Sequence, residues 1–215
     1  MRRVESELVF TQVHALAVEY PGYGLYRGDT DDASIRSTAD LVYHYVNEQL
    51  KIPAQNIIIF GRSIGTGPAT YLASKFNCSA LVLFSPYASI RAVAKEHVGC
   101  CSCCVPDIFR SVDSIPTIRV PIFIVHGQRD EVISVTNSDV LFGACHHNNA
   151  DLKQLVKPEN MTHNDFSLLG DFVMPCGQFL RRNKVIGLTD LQDLGIPQAM
   201  DRIRPNRGAG ASGRY

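Results

Sequence analysis

The sequence predicts an α/β fold in which a mostly parallel sheet carries helices on both faces. Two observations support this. Runs that are apolar throughout, "VHALAVEY", "NIIIFG", "ALVLFSP" and "PIFIVHG", recur along the chain, with "DLKQLVKP" as a weaker candidate for a sheet edge. A strand buried on both faces reads this way, and interior strands of parallel sheets are buried on both faces. Segments of helical spacing lie between the runs, and strands alternating with helices wind into a parallel sheet.

Each element has a local reason. "VHALAVEY" is closed by "PGYG", a turn cluster that cannot continue as regular structure, so it reads as a buried strand. "DDASIRSTADLVYHYVNEQL" places Ile35, Ala39, Leu41, Val42, Tyr45 and Val46 near helical spacing behind acidic residues, which predicts an amphipathic helix. After the strand "NIIIFG" comes the helix "GPATYLASKF", where Pro68 falls in a first turn that has N–H groups to spare. From about Val185 the pattern fades. Residues 1–184 are expected to form one domain and residues 185–215, which end in "RPNRGAGASGRY", a largely disordered tail with little to bury.

Composition narrows the function classes. A chain of 215 residues, 45% hydrophobic and 20% charged, suits one sizeable domain. Its 21 basic and 21 acidic side chains cancel to a net charge of +0, so no global field draws it to nucleic acid or anionic lipid. No run approaches the roughly 18 apolar residues of a membrane span, and "MRRVESELVF" has the wrong flanks for a signal peptide, so a cytoplasmic location is expected. Of the seven cysteines, four crowd into "CCSCC", too local for a simple disulfide framework, and reduced thiols are expected.

The chemistry gathers around "IIIFGRSIGTGPA". A strand, a Gly-x-Ser-x-Gly turn and a helix hold Ser63 out at the carboxyl end of the sheet, where a base could activate its hydroxyl. Gly61 and Gly65 are expected to relieve crowding in the turn. The Ile64 N–H, at a helix start, is expected to form half of an oxyanion hole. A serine that merely caps the helix is the competing reading of the motif alone. Further signals follow in the order Ser, acid, His that such hydrolases require. "PIFIVHGQRDEVI" puts Asp130 in the loop after a strand, with Glu131 as its competitor. Of seven histidines, His14 falls in a strand, His44 on a helix, His97 beside the cysteines, His126 at a strand end, and His146 and His147 in a polar stretch. His163 in "ENMTHNDF" is the best base; it precedes a helix that Asn164 or Asp165 could cap. The proposed site needs no cofactor and no metal.

Together "VHALAVEYPGYG", "IPAQNIIIFGRSIGTGPATYLAS", "LVLFSPYASI", "PIFIVHGQRDEVI" and "HNDF" resemble the alpha/beta hydrolases of the alpha/beta-hydrolase-domain-containing protein 17 type, from about Val13 to Leu180. The resemblance implies an alpha/beta-hydrolase fold and a serine thioesterase that removes palmitate from cysteines of membrane-associated proteins. Ser63 would be the nucleophile, Asp130 the acid and His163 the base. It also implies S-acylated protein substrates and peripheral contact with the cytoplasmic face of plasma or endosomal membranes. Two departures stand out. The family's earlier strand, whose following loop completes the oxyanion hole, is not found, so the sheet is expected to lack its first strands. Either "HALAVEY" and "NIIIF" then close up and pair, or the chain is a partial product. The family's N-terminal acylated cysteines are also not found, while Cys100, Cys101, Cys103 and Cys104 are candidates for structural thiols, for S-acylation, or, on a weak Cys-x-x-Cys signal, for metal binding. A catalytically dead interaction module and a serine aminopeptidase-like enzyme are the competing functions.

Overall fold

A computed structural model describes residues 14–147 and 149–185. Among these residues four parallel strands lie side by side in chain order: β1 (Ile58–Arg62), β2 (Ala80–Phe84), β3 (Ile122–Val125) and β4 (Lys153–Val156). The register sets Ile59 beside Leu81, Leu81 beside Ile122, and Ile122 beside Lys153. Every residue of β2 and β3 is buried, whereas β4 is half-buried along its length and β1 leaves Phe60 52% exposed. The apolar runs "ALVLFSP" and "PIFIVHG" therefore mark the middle of the sheet, "NIIIFG" is an end strand among the described residues, and "DLKQLVKP" is an edge as expected.

The helices are α1 (Asp32–His44), α2 (Thr66–Lys75), α3 (Ile90–Val98), the single turn α4 (Ser111–Ser114), α5 (Thr136–Ala144) and α6 (Met174–Arg182). Alternating strand side chains divide the core. Ile59, Leu81, Leu83, Ile122 and Ile124 pack against Ala69 and Ala73 of α2 and Leu141 of α5. Val82, Phe84, Phe123 and Val125 face the other way, onto Phe179 and Leu180 of α6. A third cluster of Ile35, Tyr87, Phe109 and Ile133 joins α1 to the loops that follow the strands.

Helix α1 starts where the acidic cluster predicts, with a reciprocal cap between Asp31 and Ser34. Its buried stripe is Ile35, Ala39 and Tyr43, while Leu41 and Tyr45 are 66% and 51% exposed. Tyr43 sets the roll of the helix: it stacks on Phe76 at 4.3 Å and donates its hydroxyl to the Asn77 carbonyl at 2.5 Å.

The expected first strand is not formed. His14–Tyr20 has no regular secondary structure and is mostly exposed. An apolar run becomes a strand only by pairing its N–H and C=O groups with a neighbour, and apolar character alone does not secure that pairing. Among the described residues β1 is an end strand that pairs only with β2, so "HALAVEY" and "NIIIF" do not close up. Val185, assigned to the tail, still packs against the α6-side core. The rest of the tail and a strand from residues 1–12 lie outside the described residues. Among those described, no helix is long and apolar enough to cross a membrane.

Candidate active site

All four strands point their carboxyl ends the same way, so the segments leaving them meet at one rim. Ser63 follows β1, Ser85 follows β2, Asp130 lies beyond β3 and His163 beyond β4. The turn at Ser63 is tight. Ser63 itself has φ of 50°, a left-handed conformation that costs a non-glycine residue about 1–2 kcal/mol. It is held there by Thr66, whose hydroxyl donates to the Ser63 carbonyl at 2.7 Å, and by the Tyr87 hydroxyl, which donates to the Ile64 carbonyl at 3.0 Å. Burial keeps the Tyr87 hydroxyl protonated far above its ordinary range, so it stays a donor.

The glycines of this turn divide differently from expectation. A Cβ on Gly61 would run into the Gly65 carbonyl, Ala69 and Thr66, so the first glycine is required by close approach of strand and helix. Gly65 has nothing within 4 Å of its Cβ position and φ of −67°, so crowding does not require it. The second crowded position is Gly67, where a Cβ would collide with Tyr87 and Phe109.

The three widely separated side chains come together. His163 Nε2 lies 3.0 Å from Ser63 Oγ, and its Nδ1 lies 2.8 Å and 3.0 Å from the two Asp130 carboxylate oxygens. An ionised carboxylate only accepts, so Nδ1 carries the proton and Nε2 is left to accept from the Ser63 hydroxyl. The Asp130 side chain has no exposure and that of His163 has 8%. Burial pushes the Asp130 carboxyl up, but the donors of His126, the Ile133 N–H and His163, with the nearby Ser85 hydroxyl, outweigh it and hold the group well below the usual carboxylate range. Asp130 Oδ1 also accepts from the Val132 and Ile133 N–H groups at 3.0 and 2.9 Å, which locks the carboxylate before any substrate arrives.

The His163 loop lies close over the end of β3. Gln128 N donates to the Pro158 carbonyl and Arg129 N to the Met161 carbonyl, and a Cβ on Gly127 would collide with Met161. Glycine is what lets the loop approach. Glu131 does not touch the imidazole; its Oε2 accepts from the His163 N–H at 3.3 Å. The helix after His163 is capped by Ser167, whose side chain accepts from Gly170 N, and not by Asn164 or Asp165. Thr162 Oγ1 accepts from the N–H groups of those two residues, so they belong to a turn before the helix.

No family model matches the chain. Alpha/beta hydrolase domain-containing protein 17C of Xenopus tropicalis is 30% identical over 165 residues, which cover 75% of this chain and 50% of that protein. Human alpha/beta hydrolase domain-containing protein 17B is 31% identical over 170 residues, 78% of this chain and 56% of that protein. The monoacylglycerol lipase of Paleococcus ferrophilus matches in fold with a TM-score of 0.57 at 15% identity, over 77% of this chain and 82% of that structure. The chain has an alpha/beta-hydrolase fold, and the curated proteins it is similar to are alpha/beta hydrolase domain-containing proteins. It spans about half the length of the curated relatives it matches.

Within this alpha/beta hydrolase fold, sequence reasoning missed two groups around the acid. His126, set aside as a strand-end residue, is fully buried, with Nε2 2.8 Å from the Ile133 carbonyl and Nδ1 2.6 Å from Ser138 Oγ. A carbonyl only accepts, so Nε2 carries a proton. The i,i+4 spacing of His126 to Asp130 was its one visible signal. Ser85 is buried at φ of 48°; its Oγ makes no hydrogen bond within ordinary limits, yet it lies close enough to favour the ionised form of Asp130. The remaining histidines stand apart from the site: His14, His44, His97 and His146 are exposed and His147 is half-buried.

All seven cysteines are free. Cys100, Cys101, Cys103 and Cys104 are exposed on the 3-10 turn Gly99–Cys104 that follows α3, whereas Cys78, Cys145 and Cys176 are buried. Among the described residues no group of three or more His, Cys, Asp and Glu is arranged to hold a metal ion.

Proposed function

We propose that the chain is a serine hydrolase that cleaves thioesters of S-acylated protein cysteines, palmitate in particular, through an acyl-enzyme on Ser63. The observation that carries this reading is the unbroken path from Ser63 Oγ through His163 to a buried, ionised Asp130. Ser63 Oγ attacks the thioester carbonyl carbon while its proton passes to His163 Nε2. The imidazolium is stabilised by Asp130, and the negative charge on the former carbonyl oxygen is met by the Ile64 N–H. The carbon–sulfur bond breaks, and the cysteine sulfur leaves with the proton from His163. Water, deprotonated by His163, then attacks the acyl-serine, and the fatty acid and free Ser63 are released.

Only one oxyanion donor is assigned. In hydrolases with this elbow the second comes from the loop after a neighbouring strand, a place where β1 has no neighbour among the described residues. Loss of one such donor costs on the order of 10² to 10³ in rate. A thiolate leaves more easily than an amine, so thioesters suit this site better than amides. The same open edge favours a second reading, a catalytically weak hydrolase fold used as an interaction module. Labelling with a fluorophosphonate probe separates the two. Wild type is expected to label and Ser63→Ala not to; equal labelling ends the catalytic reading.

The exposed thiols of Cys100–Cys104 support a proposal of peripheral membrane contact through their own S-acylation. Acyl-biotin exchange on protein expressed in cells is expected to give a signal that disappears when the four become serine.

A further inference from the structure

We propose that Arg62 is a positioning residue that clamps the loop bearing the base onto the nucleophile strand, an inference that rests on the reading of Ser63 as nucleophile. His163 has far to reach. It follows β4 at one edge of the sheet, whereas Ser63 follows β1 at the other, with β2 and β3 between them. Most of the ties already described hold the His163 loop to the end of β3, where they place the imidazole against Asp130. They do not set its distance from Ser63.

Arg62 ends β1 and immediately precedes Ser63. Its Nη2 donates to the carbonyl of His163 itself at 2.7 Å and to Asn164 Oδ1 at 3.1 Å. The guanidinium carbon lies 5.6 and 5.7 Å from the ring centroids of Phe84 and Phe166, which pack edge-on at 4.8 Å from each other and so back the guanidinium from one side. Its Nε is buried without a partner, a desolvation cost accepted by a side chain whose reach is committed elsewhere. The hydrogen bonds go to neutral acceptors on the loop, so the charge strengthens a backbone tie instead of pairing with a carboxylate. One residue thus links the backbone of the nucleophile to the backbone of the base across about 100 positions of sequence, |i−j| being 101. A planar fork backed by two rings suits this better than a flexible ammonium, so lysine replaces it only in part.

The test uses the full chain with Arg62→Ala and Arg62→Lys and two readouts. Amide hydrogen exchange over residues 161–166 is expected to speed up about tenfold in Arg62→Ala, with little change elsewhere, and less in Arg62→Lys. The maximal rate of fluorophosphonate labelling is expected to fall about tenfold or more at unchanged half-saturating probe concentration, since small misplacements of a base are costly. Lysine should recover part of this loss. Unchanged exchange over 161–166 in Arg62→Ala overturns the clamp, as does a rise spread evenly over the protein. A wild type that does not label overturns the nucleophile reading, while the exchange result decides the clamp by itself.

Discussion

His126 Nε2 stands 3.3 Å from Asp130 Oδ2, so one buried carboxylate faces two imidazoles, and the second never meets Ser63. His126 acts as a fixed donor, because the Ile133 carbonyl keeps its Nε2 protonated. Replacing it with alanine leaves that carbonyl and the Ser138 hydroxyl unpaired, each at a cost of about 1–3 kcal/mol. His126→Gln keeps an N–H in reach and is expected to recover much of the loss. Urea unfolding of the two variants checks this; equal stability of Ala and Gln would show that the donor does not matter.

Asp130 also gives stability a pH dependence. Its folded value is held below that of the unfolded chain, about 3.9, so its contribution is fully present above that value and is lost as pH falls through the folded one. Asp130→Asn is expected to be less stable at neutral pH and to lose less on acidification. Chemical unfolding between pH 7 and pH 3 reads the difference, and parallel curves for the two proteins would contradict it.

The glycines near Ser63 make unequal predictions. Gly67→Ala forces a Cβ onto Tyr87 and Phe109 and is expected to cost about 1–3 kcal/mol, as overpacking does. Gly65→Ala enters open space in a helical conformation and is expected to stay within about 0.5 kcal/mol of wild type or to stabilise slightly. Thermal melts rank the pair, and the reverse order would mean that the elbow is packed differently.

Thiol reactivity should split the cysteines four to three. Burial pushes Cys78 and Cys145 up to about 11 and Cys176 up to about 12, which leaves almost no thiolate at neutral pH. Iodoacetamide is expected to modify Cys100, Cys101, Cys103 and Cys104 in the native protein and the other three only after unfolding. Intact-mass spectrometry counts the adducts, and rapid addition of more than four would refute the assignment.

Much of this site could be read from the chain. The elbow at Ser63, the carboxylate after "PIFIV" and the imidazole in "HNDF" are local patterns, because each depends on a strand end or a tight turn whose residues are neighbours. Other features could not be read this way. "HALAVEY" has the apolar run of a strand but pairs with no neighbour among the described residues, although the outer edge of β1 is open. Leu41 and Tyr45 have helical spacing but face outward, because Tyr43 is anchored to Phe76 and Asn77 across a different helix.

What the amino-acid order supplies alone is the alternation of strands and helices, the resemblance to alpha/beta hydrolases, and Ser63, Asp130 and His163 as candidates. Folding decides which glycine is crowded, that His126 and Ser85 surround the acid, and that Arg62 reaches the base. Several of those outcomes depend on contacts between separate elements, as between Gly67 and Phe109 or Arg62 and His163, and no periodicity within a segment encodes the distance to a partner outside it.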